Sequence, residues 1–190
     1  MAIPEETLER FFREVPALET YRRDLYLVRR MKAHILSPEG EMLLASAGEM
    51  ADAPDNIGGM LRNADMRFPN VTDVEGNVHK LTNGSLVPLL ESPDRDFRRQ
   101  VFETYYNRLG EYRNTIAATL DGQFKQLRFF AAARKYPSTL EAALFKNEVP
   151  VSVYHNLIEA VHQNFEPMYR YVALRKKLLG LDELHMYDVY

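Results

Sequence analysis

Cysteine and tryptophan are both absent from this sequence of 190 residues, and the lack of cysteine limits its chemistry. Without cysteine the chain cannot form a disulfide, a thiol nucleophile, a thiolate zinc site or a cysteine-ligated iron–sulfur cluster. It also has no run of about 18 apolar residues, so no segment is predicted to span a membrane. The first residues lack the basic and apolar regions of a secretory signal. We therefore expect a cytoplasmic protein that has no membrane partner.

An excess of positive charge is also missing. The chain has 24 Lys and Arg against 27 Asp and Glu, which gives a net charge of −3. Two basic stretches, residues 22–32 and 95–99, contain or adjoin aromatic residues and could bind phosphates. We interpret them instead as charged outer faces of helices, paired with local acids such as Asp24 and Asp96. Because nucleic-acid binders are usually basic, we expect no nucleic-acid partner.

The familiar catalytic signatures are absent as well. The chain contains no Gly-x-Ser-x-Gly elbow, no glycine-rich phosphate loop and no His-Glu-x-x-His helix. His155, Glu159 and His162 are spaced to share one helix face, which could suggest metal ligands. Their neighbours Asn156 and Gln163 favour a solvated polar face instead. The residues alone predict no catalytic residue and no metal ligand.

The apolar residues recur with helical periodicity, and the predicted fold class is mainly α, a helical array. One long helix or a collinear helix pair is expected over about 93–136, where apolar residues recur every three or four positions. A short β-hairpin is expected at about 71–80, with Gly76 at a positive φ. Shorter helices are predicted at about 4–15, from 17, at 38–50, from 54, at 138–144, and at 151–179 with a kink at Pro167.

Several stretches, in the same order along the chain, resemble the oligoendopeptidase F group of the thimet-type zinc oligopeptidases. The clearest is Ala-Ala-Leu-Phe-Lys-Asn-Glu-Val-Pro at residues 142–150. Residues 170–190, the tyrosine-rich end of the sequence, also resemble this group. The other matching stretches are residues 61–69, 81–95, 113–120 and 133–136.

This resemblance implies a function that the residues alone do not. It divides the chain into residues 1–90, similar to the amino-terminal helical region of the family, and residues 91–190, similar to the start of its peptidase domain. In that family the zinc ligands lie in a His-Glu-x-x-His helix, which would follow the stretch where this sequence stops. The resemblance therefore implies an internal fragment of a zinc endopeptidase for short peptides. It implies zinc in the intact enzyme but none bound to this chain.

Five residues near the expected catalytic half are candidates for contact with a peptide or with another domain. They are Phe145, Asn147, His185, Tyr187 and Asp188, and packing is the alternative role for each. The segment as a whole would form part of the helical wall of a substrate channel. Self-association is also expected, because helices that normally pack against a missing half would expose an apolar patch. The competing hypothesis is a stand-alone helical interaction module without enzymatic activity.

Overall fold

The structure is a computed structural model that describes residues 3–190, and these residues confirm the predicted mainly α fold class. Two short antiparallel strands, β1 and β2, form the predicted hairpin. They cover Val71–Thr72 and Val78–His79. The α-helices are α1 (Glu5–Glu14), α2 (Arg22–Arg30), α3 (Pro38–Ser46), α4 (Gly48–Ala51), α5 (Ala53–Met60), α6 (Leu86–Leu90), α7 (Arg95–Glu111), α8 (Arg113–Ala133), α9 (Thr139–Phe145), α10 (Val151–Gln163) and α11 (Phe165–Leu178).

Short polar side chains start three of these helices. The Oγ of Ser37 accepts from the backbone N–H of Gly40 at 3.2 Å, and the Oγ of Ser138 accepts from that of Glu141 at 3.0 Å. Each bond satisfies a donor that has no partner inside its helix. Asp94 caps α7 by accepting from the N–H of Phe97 at 2.6 Å. That helix therefore begins at Arg95, two residues later than the predicted start at about 93.

The predicted long stretch over 93–136 is a pair of helices, α7 and α8. The break falls at Tyr112, whose φ of −100° and ψ of 6° leave the helical region. Neither glycine in the stretch breaks the helix. Gly122 lies inside α8, where an added Cβ would stand 2.9 Å from Cγ of Pro54. The absence of a side chain there lets the start of α5 approach α8 closely.

The predicted kink at Pro167 is wrong. The chain breaks at Asn164, between α10 and α11, and Pro167 is the third residue of α11. Proline is tolerated in the first turn of a helix because the N–H groups there have no intrahelical partner. The predicted end of this helix is confirmed, since Gly180 follows it with φ at +64°.

Two further elements differ from the sequence prediction. The helix predicted from 38 to 50 is interrupted at Ala47, which separates α3 from α4. The five-residue helix α6 was not predicted, because it follows a turn and contains Pro88. The hairpin agrees with the prediction, and Gly76 in its turn has φ at +88°.

The chain divides into two compact units. Unit 1 comprises Met1–Ala51 and Lys125–Glu148, and unit 2 comprises Asp52–Phe124 and Val149–Tyr190. Among the described residues of unit 1, the buried ones are Leu8, Phe12, Leu44 and Ala131. The core of unit 2 joins the hairpin, α6, α7 and the end of the chain. Its buried members are Val71, Leu81, Leu86, Leu90, Phe97, Val101 and Tyr187.

Candidate functional site

The five candidate residues fall into two separate groups. Phe145 and Asn147 belong to unit 1, at the end of α9, whereas His185, Tyr187 and Asp188 belong to unit 2. The second group lies in and beside a single 3₁₀ turn, Met186–Asp188, that follows α11. Each group has its own partners.

The carboxylate of Asp188 is the polar centre of the second group. Its Oδ1 accepts from Nε of Arg95 at 3.1 Å and from Nη2 of Arg98 at 2.9 Å. Its Oδ2 accepts from Nη2 of Arg95 at 3.0 Å and from the backbone N–H of His185 at 3.0 Å. Asp188 is only 1% exposed. A buried carboxylate that is paired and hydrogen-bonded on both oxygens holds its position and its charge.

The pKa of Asp188 reflects these contacts. Burial by itself raises the pKa, because it disfavours the charged form, but the hydrogen bonds from Arg95, His185 and Arg98 outweigh it and lower the pKa to about 2. The carboxylate is therefore ionised at neutral pH. With both oxygens engaged by donors, it is suited to anchoring the chain and poorly suited to accepting a substrate proton.

The same arginines also fix the backbone around the 3₁₀ turn. Arg98 donates from Nε to the carbonyl of Tyr187 at 2.8 Å and from Nη1 to that of Ser92 at 2.9 Å. Arg95 donates to the carbonyl of Glu183 at 3.1 Å. Arg175 of α11 donates to the carbonyl of Asp188 at 2.7 Å. Together these bonds tie the last residues of the chain to the start of α7 and the end of α11.

Tyr187 and His185 complete this second group. The ring of Tyr187 is buried in the core of unit 2, with the ring of Phe102 centred 5.9 Å away. His185 stacks on Tyr187 at 5.0 Å between ring centroids, with 17° between the planes. The guanidinium of Arg95 lies 5.4 Å from the centroid of the Tyr187 ring. Of the three candidates in this group, only His185 is exposed, so a ligand could reach it directly.

Phe145, in unit 1, lies in a cluster of aromatic and cationic side chains. The guanidinium of Arg30 lies 4.3 Å from its ring centroid and also donates to its carbonyl at 3.2 Å. His34 packs edge-on against the Phe145 ring at 4.6 Å and stacks on Tyr136 at 3.7 Å. Asn147 follows in the turn after α9, where its side chain is exposed. The structure therefore packs Phe145 into unit 1 and leaves Asn147 open to contact.

The sequence did not predict the acidic partners of Arg95, Arg98 and Arg134. The stretch 95–99 was expected to pair with local acids, and Arg99 does pair with Asp96 at 2.9 Å. Arg95 and Arg98 instead reach Asp188, about ninety positions away. In unit 1, Arg134 pairs with Glu41 across a similar separation, at 2.9 and 3.0 Å. No local pattern could have indicated these pairs, because only the fold brings the partners together.

Histidine, aspartate and glutamate are the metal ligands that this chain could offer, since it has no cysteine. Among residues 3–190 no group of three or more His, Asp or Glu side chains could hold a metal ion. Glu159, one of the spaced residues on α10, accepts a hydrogen bond from Gln163 at 2.8 Å. The residues present do not fit a zinc site, so no catalytic step through zinc can be assigned to them. Within the same residues, no helix is both long and apolar enough to cross a membrane.

Comparison with known proteins gives the family. The family model "Oligopeptidase F" matches residues 1–68, and the model "Peptidase family M3" matches residues 88–190. Oligopeptidase PepF of Bacillus subtilis (strain 168) is 39% identical over the whole chain. The chain belongs to the oligoendopeptidase F group of peptidase family M3. The expected resemblance is thereby confirmed.

Other family members agree in sequence and in structure. An oligoendopeptidase F homolog of Lactococcus lactis is 36% identical over all 190 residues. The crystal structure of oligoendopeptidase F from Enterococcus faecium superposes with a TM-score of 0.91 at 39% identity, over 99% of this chain and 37% of that one. The chain covers 28% of the B. subtilis relative and 32% of the L. lactis relative. It therefore spans about a third of the length of the curated relatives it matches.

Proposed function

We propose that this chain acts as part of a zinc metalloendopeptidase that hydrolyses short peptides, and that it supplies structure to that enzyme and no catalytic residue. The observation that carries the proposal is the match to oligoendopeptidase F over essentially the whole chain, in both sequence and backbone. The absence of a three-ligand metal group within residues 3–190 supports placing the zinc chemistry elsewhere in the enzyme.

The structural part is a segment of the helical wall that encloses the substrate channel. Of the candidate residues, His185 and Asn147 have exposed side chains and are the two we assign to contact with a peptide or a neighbouring domain. Tyr187 and Asp188 are buried, and we assign them to holding the turn that carries His185. Phe145 holds the end of α9 next to Asn147 through its contacts with Arg30 and His34.

We also propose a domain boundary near residue 90, between residues 1–90 and residues 91–190. The two family models support it, because they leave residues 69–87 unmatched between them.

Peptide cleavage and metal content test the main proposal. Residues 1–190 are incubated with quenched fluorescent peptides and zinc, and B. subtilis PepF serves as the positive control, with and without a chelator. We expect the control to cleave in a chelator-sensitive way, and we expect this chain to release no fluorescence and to retain no stoichiometric zinc. Chelator-sensitive cleavage by this chain would contradict the assigned role. An in-frame His-Glu-x-x-His in the gene after residue 190 would support it.

The competing function, a stand-alone interaction module, has one observation in its favour. Every residue from 152 to 171, in α10 and the start of α11, is exposed, and many of these side chains are apolar. Monomeric proteins rarely expose large continuous apolar patches. We propose that this surface makes the isolated chain self-associate, whichever function is correct. A native stop codon after residue 190 would favour the module.

A further inference from the structure

Unit 1 contains an open cavity of about 700 Å³ that the peptidase proposal does not use. Its walls come from α2, from the last part of α8 and from α9. Its apolar lining includes Leu27, Phe130, Ala131, Ala142, Ala143 and Phe145. Cavities of this volume, lined mainly by apolar side chains, are typical of sites for small molecules.

The charged residues of the lining are all cationic. They are Arg30, Arg134 and Lys146, and no Asp or Glu lines the cavity among residues 3–190. Arg30 lies 3.7 Å from the carboxylate of Glu148, and Arg134 is paired on two oxygens with Glu41. Lys146 is exposed, and its ammonium group has no hydrogen bond or ion pair within the described part of the chain. One positive charge beside the cavity is therefore left for a ligand.

The polar content of the lining distinguishes two kinds of ligand. A peptide carries an N–H and a C=O at every residue, and each of them needs a hydrogen-bond partner once it leaves water. Tyr136 and Thr139 are the uncharged polar side chains of the lining. The two arginines already hold Glu148 and Glu41. A hydrocarbon chain has no such groups to satisfy, so an apolar chain fits this lining better than a peptide backbone does.

We propose that this cavity binds a carboxylate amphiphile with a single apolar chain, of the medium-chain fatty acid type. The chain would lie along the alanines and Phe130, and the carboxylate would pair with the ammonium group of Lys146. The proposal concerns unit 1 alone and does not depend on peptidase activity.

Titration calorimetry with decanoate, below its micelle-forming concentration, tests whether the positive charge of Lys146 contributes to binding. We expect decanoate to bind residues 1–190, and Lys146→Glu to weaken that binding about fivefold or more, because it replaces an attraction with a repulsion. Lys146→Arg should keep most of the affinity. Lys32→Glu is the matched control, since Lys32 is exposed in the same unit but does not line the cavity. The proposal fails if Lys32→Glu and Lys146→Glu weaken binding equally.

A second pair of variants tests whether decanoate occupies the cavity itself. Ala143 lines the cavity and is exposed, so Ala143→Phe fills the cavity without overpacking the core. Ala132 is exposed on α8 but does not line the cavity, so Ala132→Phe is its control. Decanoate affinity should fall at least tenfold in the first variant and remain unchanged in the second. Circular dichroism should show the same helix content in both. Equal affinities, no binding of decanoate, or binding of an apolar hexapeptide in its place would each overturn the proposal.

Discussion

Asp188 is a buried carboxylate that is paired with two arginines, Arg95 and Arg98. Their pairing joins the start of α7 to a turn about ninety residues later. The side chain of Arg98 is only 11% exposed and that of Asp188 is fully buried. Removing one partner from such a pair leaves the other charge buried without compensation, which costs much more than the intact pair gains.

Asp188→Asn is therefore expected to lower the free energy of unfolding by about 3 kcal/mol, because the amide keeps the shape but loses the charge that Arg95 and Arg98 require. Urea unfolding followed by circular dichroism measures the change. Asp182→Asn is the matched control, since Asp182 is exposed a few residues earlier, and it should change stability by less than about 0.5 kcal/mol. Similar losses in the two variants would contradict the anchoring role.

The pH dependence of stability should identify the same carboxylate. The pKa of Asp188 is about 2 in the folded chain against an ordinary value of 3.8, so its charge stabilises the fold above about pH 4. That contribution, roughly 2 kcal/mol, should disappear as the pH falls from about 4 towards 2. The difference in unfolding free energy between the wild type and Asp188→Asn is the quantity to measure. It should be largest near pH 7 and narrow below pH 4, and a difference that stays constant with pH would argue against the assignment.

At the scale of elements, the end of α11 is defined by its backbone geometry. The N–H of Leu181 donates to the carbonyl of Lys176 at 3.2 Å, and the N–H of Gly180 donates to that of Lys177 at 3.2 Å. These two bonds form a Schellman motif, with Gly180 in the left-handed conformation at φ +64°. The motif turns the chain towards the segment that carries His185 and Asp188.

Gly180→Ala should lower stability by about 1 kcal/mol, because a side chain is strained at that φ. Gly59→Ala should raise stability by about 0.5 to 1 kcal/mol. Gly59 is helical, and an added Cβ there would meet nothing within 4 Å. Thermal unfolding of both variants measures the two effects. We expect Gly180→Ala to lower the melting temperature and Gly59→Ala to raise it. Shifts of the melting temperature in the same direction would contradict the prediction.

At the scale of the whole molecule, the apolar surface of α10 is the feature most relevant to assembly. Val153, Leu157 and Val161 recur every four residues and are 51%, 64% and 49% exposed. They therefore form one unpartnered apolar face. By contrast, Phe97 and Val101 at the start of α7 are buried in unit 2. Contacts between copies are thus expected from α10 more than from the start of α7.

We expect the average mass of residues 1–190, measured by light scattering, to rise with concentration. Leu157→Glu should suppress the rise, because it places a charge in the middle of the apolar face. Asn156→Glu adds the same charge to the same helix at an exposed polar position, so it should leave the association unchanged. An average mass that stays at the monomer value at high concentration would contradict the prediction, and so would an equal rise in mass for the two variants.

The sequence was sufficient for features that depend on neighbouring residues. A positive φ at Gly76 in the hairpin and a helix end close to residue 179 each depend on a few positions, and both predictions were correct. The exact helix breaks were harder, because Asn164 and Tyr112 interrupt helices without a strong local signal, whereas Pro167 gives a strong signal that the first turn of α11 absorbs. The family was also recognisable, because the matching stretches keep their order along the chain.

Only the tertiary structure decided which charges pair and where space remains. Arg95 and Arg98 could have faced solvent or phosphate, and their partner was fixed by a fold that brings residue 188 to the start of α7. The cavity of unit 1 likewise combines helices that are about a hundred positions apart. Helix periodicity depends on local spacing and is written in the sequence. A buried ion pair or a cavity depends on which distant segments meet, and no local pattern contains that information.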